Sequence, residues 1–219
     1  MNEAEIFAHI DHTLLKPDAA WLQIEKLCRE ARRFGAAAVC IPPCYVSRVK
    51  AAFPELTVST VVGFPLGYAV TAAKLAETRQ ALADGADEID MVVNVTDVKN
   101  GDYLKVQEEI AALKRAAGDH VLKVIVETCC LTRTEKIALC RAVEGAGADY
   151  IKTSTGFGSA GATVEDVALF RSLLPPGVKI KAAGGIRDRQ TMEALLAAGA
   201  DRLGCSAGVS ALYPDQTED

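Results

Sequence analysis

Gly85-Ala86-Asp87, Gly147-Ala148-Asp149 and Gly199-Ala200-Asp201 are three copies of one phrase. Each copy ends a stretch of helical spacing and precedes a short apolar run, so each marks the same helix-to-strand turn, with glycine just past the helix. A chain that reuses such a turn is assembled from repeated βα units. Apolar runs at 10–15, 38–41, 58–62, 88–93 and 121–126, two more around Lys152 and Lys181, and a last at 201–205 give eight strand candidates. Helical patterns at 21–34, 45–53, 71–83, 103–117, 132–146, 164–174 and 189–198 separate most of them. In the first helix Trp21, Ile24, Leu27, Cys28 and Ala31 share a stripe, and in the third Ala72, Leu75, Ala76 and Leu82 are expected to face inward. Thr132-Arg133-Thr134-Glu135 has the form of a capping box.

Short apolar strands alternating with helices imply parallel strands covered on both faces. Eight such units in 219 residues fit a closed α/β barrel, the (β/α)8 TIM fold, as a single domain over residues 1–219 with no linker-like stretch. The competing architecture, an open doubly wound sheet, requires a G-x-G-x-x-G fingerprint after its first strand, and that is missing.

Charge narrows the partners. The formal net charge is −5 and there is no clustered basic face, which argues against nucleic acid. It also means that an anionic substrate has to be caught locally. Seven cysteines, an odd number, point to free thiols in a reducing compartment. Met1-Asn2-Glu3-Ala4-Glu5 is unlike a signal or transit peptide, and no apolar run is long enough for a bilayer, so a cytoplasmic protein with no membrane partner is expected. Neither the cysteines nor His9, His12 and His120 show metal-ligand spacing, and packing or surface roles are expected of them, with no metal.

Four polar residues interrupt the apolar runs: Asp90, Lys123, Lys152 and Lys181. Active groups of such barrels sit at the C-terminal ends of strands. Because side chains alternate along a strand, Asp90 shares a face with Glu88 and Val92, and Lys152 with Ser154. If these faces point inward, one acid and three amines surround a small volume. A lysine with its ordinary pKa near ~10.4 is protonated and inert as a nucleophile at neutral pH. Burial and a neighbouring cation both favour the neutral amine that forms a Schiff base, and Lys181 on the next strand, ~4.8 Å away, would be that cation. Asp90 would then move protons, with Lys123 supporting the cluster's charge. The plainer alternative makes these lysines core ion pairs with Asp90 and Glu127, and Lys179 a strand-start residue in water.

Glycine-rich stretches follow the last three strands: 156–161, Gly184-Gly185-Ile186-Arg187 and Gly204-Cys205-Ser206-Ala207-Gly208. Backbone N–H groups freed by glycine converge on anions, and the loops after strands seven and eight are where such barrels hold phosphate. The glycines would otherwise serve only tight turns.

Glu88-Ile89-Asp90-Met91-Val92-Val93-Asn94, Leu122-Lys123-Val124-Ile125-Val126-Glu127-Thr128, Lys152-Thr153-Ser154-Thr155-Gly156 and Lys181-Ala182-Ala183-Gly184-Gly185-Ile186-Arg187 closely resemble the motifs of the deoxyribose-phosphate aldolase family. The likeness runs from Ile10-Asp11-His12-Thr13-Leu14 to Gly204-Cys205-Ser206. The resemblance implies a cofactor-free class I aldolase that reversibly cleaves 2-deoxy-D-ribose 5-phosphate to D-glyceraldehyde 3-phosphate and acetaldehyde in deoxynucleoside breakdown. It implies Lys152 as the Schiff-base nucleophile, Lys181 and Asp90 as proton donor or acceptor, and a phosphate site of Gly156, Gly184, Gly185, Arg187, Gly204 and Ser206. It also implies a homodimer. The chain departs from some members in three places. Phe157 stands where they carry a lysine, Ala207 replaces a serine, and the sequence ends at Asp219 without a tyrosine-ended tail; the expected consequences lie in phosphate affinity and closure over substrate. The other functions compatible with the residues are a lysine aldolase for another sugar phosphate or keto acid, and a non-catalytic barrel that binds a sugar phosphate.

Overall fold

The computed structural model describes residues 1–216; the tail expectation at Asp219 lies outside the described residues. Eight strands form a closed parallel barrel in chain order: β1 Ile10–Thr13, β2 Ala38–Ile41, β3 Val58–Val62, β4 Glu88–Val92, β5 Val121–Ile125, β6 Tyr150–Lys152, β7 Lys179–Ala183 and β8 Arg202–Cys205. Their helices are α1 Glu3–Phe7, α2 Trp21–Phe34, α3 Val46–Ala52, α4 Thr71–Ala83, α5 Val95–Lys99, α6 Tyr103–Ala117, α7 Arg133–Gly145, α8 Val164–Leu173, α9 Arg189–Ala197 and α10 Gly208–Leu212. β1 is shorter than its apolar run: it ends at Thr13, and Leu14, whose N–H still bonds the Cys40 carbonyl at 3.0 Å, and Leu15 line a cavity beyond it.

The Gly-Ala-Asp phrase does more than turn the chain. Gly85, Gly147 and Gly199 take positive φ of 101°, 73° and 109°, conformations that disfavour any side chain, and the alanine that follows each is buried. Each aspartate then reaches back to the strand before its own. Asp87, Asp149 and Asp201 accept from the N–H of Val58, Leu122 and Ile180 at 2.8, 2.7 and 2.8 Å, satisfying a donor at the strand start that would otherwise be open. Strand pairs 3–4, 5–6 and 7–8 are clasped in this way at the bottom of the barrel. Pair 1–2 carries the degenerate copy Gly35-Ala36-Ala37, which keeps only the backbone bond from Ala37 N to Ile10 O, 2.9 Å.

The apolar core lies between the strands and the helices. Val39 and Ile41, Val58 and Val62, Ile89 and Met91, Leu122 and Val124, Ile151, Ile180 and Leu203 point outward into it, where they meet the buried faces of the helices. α2 buries the predicted Ile24, Leu27, Cys28 and Ala31, and Thr132 accepts from Glu135 N in the predicted capping box of α7. In α4 the inward face differs from expectation. Ala72 and Ala76 are exposed, Leu75 and Leu82 are half-buried, and Lys74, Thr78 and Ala81 are buried. The cause is an ion pair: Lys74 is fully buried, bonds Glu109 of α6 at 2.8 Å and donates to the Val92 carbonyl at the end of β4 at 2.9 Å. Alanines carry too little directional signal to reveal such a rotation.

With the apolar side chains facing outward, the alternate positions fill the inside of the barrel, and they are mostly polar. Asp11, Ser59, Glu88, Asp90, Lys123, Lys152, Lys181 and Arg202 meet there across the barrel axis.

Candidate active site

Asp90 is the hub of this interior. Its carboxylate accepts from Lys152 at 2.6 Å, Lys181 at 2.7 Å, Lys123 at 2.8 Å and Ser59 at 3.1 Å, and it is fully buried. Strand register makes this possible: Asp90 pairs with Lys123 across β4–β5, and Lys152 with Lys181 across β6–β7. Two further carboxylates complete the network. Asp11 of β1 pairs with Lys181, with Arg202 at 2.5 Å and with Lys123 at 3.7 Å, and Glu88 pairs with Lys123 at 2.5 Å.

The charges do not balance. Lys123, Lys152, Lys181 and Arg202 face Asp11, Glu88 and Asp90, so four cations meet three anions. The interior is neutral if one amine gives up its proton, and the surroundings select which. Burial pulls every lysine here toward the neutral form. For Lys181 the Asp11 and Asp90 carboxylates overcome burial and hold the amine well above its ordinary range. For Lys123 Asp90, Asp11 and Glu88 likewise overcome burial, and its value is raised. Lys152 has only Asp90, already shared among three amines; burial, helped by the Lys181 cation, wins and lowers it. Asp90 is itself driven well down: burial would raise it, but Lys123, Lys152 and Lys181 outweigh that.

Lys152 is also the amine that can be reached. It is the last residue of β6, and it lines a cavity of about 400 Å³ at the C-terminal mouth of the barrel. Asp90, Lys123 and Lys181 sit in mid-strand beneath it and do not line that cavity. All three were grouped with Lys152 from sequence, and the structure brings the four together. The difference lies in depth, since Lys152 alone of them opens to the space where a substrate fits. Gly156, Gly184, Gly185, Arg187, Gly204 and Ser206 line the same cavity. Gly156, Gly184 and Gly185 take φ of 86°, 84° and 75°. A Cβ on Gly204 would lie 2.9 Å from the Ala183 Cβ and 3.2 Å from the Lys181 Cε, so a glycine at 204 also leaves room for the Lys181 side chain.

Glu127 belongs to none of these ion pairs. It accepts from the Thr155 hydroxyl and, at 3.2 Å, from the Thr155 N–H, bracing the loop after β6. The plainer alternative is therefore half met: the lysines do pair with Asp90, while Glu127 holds a loop. Lys179 is exposed, as expected of a strand start. Sequence reading missed Asp11 and Arg202, which stand next to polar neighbours at strand ends. The available signal was parity, because Asp11 and Thr13 occupy inward positions just as Glu88 and Asp90 do. Among the described residues, no group of three or more His, Cys, Asp or Glu side chains is arranged to hold a metal ion.

Removing Lys181 tests the coupling. Lys181→Leu deletes the cation beside Lys152 and leaves Asp90 fewer amines to share, and both changes favour protonated Lys152. The acid limb of the pH profile of kcat/KM is expected to move to higher pH; a limb that stays in place contradicts the coupling.

A closed parallel barrel with its polar cluster beneath a cavity at the C-terminal mouth has the layout of a barrel enzyme. A family model described as DeoC/LacD family aldolase matches residues 6–213, and the chain belongs to that family. It is thus an aldolase, a carbon–carbon lyase. The deoxyribose-phosphate aldolase of Clostridium botulinum (strain Eklund 17B / Type B) is 56% identical over 219 residues, covering 100% of this chain and 99% of the relative. That of Brevibacillus brevis is 53% identical over 204 residues, 92% of each. The solved structure of the tetrameric deoxyribose phosphate aldolase from Aeropyrum pernix superimposes with a TM-score of 0.90 at 31% identity, covering 99% of this chain and 93% of that one.

Proposed function

We propose that this aldolase reversibly cleaves 2-deoxy-D-ribose 5-phosphate to D-glyceraldehyde 3-phosphate and acetaldehyde through a Schiff base on Lys152. The observation that carries the reading is that Lys152, paired with Asp90 at 2.6 Å, lines the cavity at the barrel mouth together with Arg187 and the glycines of three loops. In the cleavage direction neutral Lys152 adds to the C1 aldehyde of the open-chain sugar, and loss of water gives the imine. The C3 hydroxyl loses its proton, the C2–C3 bond breaks toward the imine, and glyceraldehyde 3-phosphate leaves. The remaining enamine takes a proton at C2, and water releases acetaldehyde and free Lys152. Asp90 and Lys181 supply and remove the protons of the addition and dehydration steps from below the amine, where Asp90 already touches Lys152 Nζ.

The phosphate end rests on Gly156, Gly184, Gly185, Gly204, Ser206 and Arg187. The enzyme needs no cofactor in this reading. It acts in the cytoplasm, consistent with seven cysteines of which none forms a disulfide. Among the described residues, no helix is long and apolar enough to cross a membrane. The working unit is a homodimer of chains that each fold as one domain over 1–219; light scattering that reports one or four chains corrects the assembly. The activity itself is tested by incubating the purified protein with 2-deoxy-D-ribose 5-phosphate. Stoichiometric acetaldehyde and glyceraldehyde 3-phosphate are expected, and cleavage of a different sugar phosphate or keto acid in preference to it contradicts the assignment.

A further inference from the structure

The cavity is an electrostatic exception in this chain. The sequence carries 29 acidic against 24 basic residues, yet no carboxylate lines the cavity, while Lys16, Lys152 and Arg187 do. Lys152 is committed to Asp90. Lys16 and Arg187 have no carboxylate within ion-pairing distance and no side-chain hydrogen bond among the described residues, although most lysines and arginines elsewhere are paired. Two cations left free on one cavity are arranged for a ligand that brings its own negative charge.

The closing seam of the barrel explains why Lys16 is there. β1 pairs with β8, with Asp11 opposite Gly204 and His12 opposite Cys205. The chain leaving β1 therefore emerges beside the chain leaving β8, whose Gly204, Cys205 and Ser206 line the cavity. The backbone at Lys16 is pinned on both sides: Leu14 N bonds Cys40 O at 3.0 Å, and Ala19 N bonds Lys16 O at 3.1 Å. Tyr45 Oη in turn holds the Ala19 carbonyl at 2.8 Å, and Pro17 restricts Lys16 to extended backbone. Only the side chain is left to move. On the cavity wall formed by the loop after β6, Phe157 offers no charge and packs edge-on against Phe64, ring centroids 5.3 Å apart.

We propose that Lys16 is a substrate-binding residue that shares the phosphate dianion with Arg187 and sets the preference for phosphorylated over unphosphorylated sugars. This rests on the sugar-phosphate reading above. A phosphate monoester carries about −1.5 to −2 charges near neutral pH, and Arg187 alone leaves much of that unmatched by a side-chain cation. The flexible ammonium of Lys16 adds a second charge from the side of the cavity where Ser206 stands.

The test compares the full-length enzyme with Lys16→Met and Lys16→Arg on 2-deoxy-D-ribose 5-phosphate and on 2-deoxy-D-ribose. Lys16→Met is expected to raise KM for the phosphorylated sugar roughly tenfold or more, the loss of one charge-assisted hydrogen bond, with kcat nearly unchanged. Its kcat/KM for the unphosphorylated sugar should match wild type, and Lys16→Arg should restore most of the affinity. An unchanged KM in Lys16→Met, or an equal loss on both sugars, overturns the assignment. Calorimetric titration with inorganic phosphate separates this outcome from the activity. If wild type binds phosphate and Lys16→Met does not, while neither cleaves deoxyribose 5-phosphate, Lys16 stands as an anion ligand and the proposed substrate falls. Equal phosphate binding by the two proteins overturns the role of Lys16 whatever the activity.

Discussion

Lys152→Met is expected to abolish turnover and to leave the protein at least as stable as the wild type. The two effects have one cause. Lys152 is the surplus cation of a network that is otherwise balanced, three charges against three, and its burial favours the uncharged form. An amine whose pKa is lower in the folded than in the unfolded chain costs stability below its unfolded value of ~10.4. Methionine fills a similar volume without that cost, and Asp90 keeps Lys123 and Lys181 as partners. In the proposed Schiff-base chemistry no covalent intermediate forms without Lys152, and turnover is expected to fall by about 10³-fold or more, leaving what binding alone supplies. Thermal unfolding paired with a cleavage assay checks both halves. A variant that retains a tenth of the activity, or that melts well below wild type, contradicts the account.

Asp90→Leu is expected to be the most damaging single change in the barrel. It leaves Lys123, Lys152 and Lys181 buried without the carboxylate they share. Breaking a buried pair by removing one partner costs about 3–5 kcal/mol, because the charges left behind have neither water nor counterion. For a chain of this size that corresponds to a fall of about 10 °C in Tm. Adding Lys123→Met to Asp90→Leu should recover part of the loss, since one stranded amine is then removed; strict additivity of the two costs contradicts the shared-hub description. The hub also sets the acid limit. Asp11 and Asp90 have folded-state values held below the ordinary carboxylate range, despite burial, by the lysines around them and, at Asp11, by Arg202 as well. Their contribution to stability is therefore complete above the unfolded value of ~3.9 and is lost as pH falls through the folded-state range.

Much of this was readable before any coordinates. The strands, their order and the lysines at 123, 152 and 181 stand out because a charge in an apolar run is a strong anomaly. What sequence could not show is depth. Parity brings Asp90, Lys152 and Lys181 onto inward faces, but only the closed barrel shows that β6 ends at Lys152, which gives that amine alone an exit to the cavity. Asp11 and Arg202 escaped notice because a charge beside polar flanks is no anomaly, although across the β1–β8 seam Asp11 helps to keep Lys181 charged while also pairing with Arg202. Lys74 was lost among the alanines of α4, since its burial depends on Glu109, thirty-five positions away on another helix. The five-residue helices α1, α5 and α10 are too short to show a period.

The central claim is that one amine, Lys152, is neutral and open to the cavity while its neighbours remain charged. Borohydride reduction in the presence of acetaldehyde, followed by peptide mapping, reads this directly. A stable N-ethyl group on Lys152, with Lys123 and Lys181 unmodified, is the predicted result. An adduct on either neighbour in its place, or no adduct on Lys152, would contradict it.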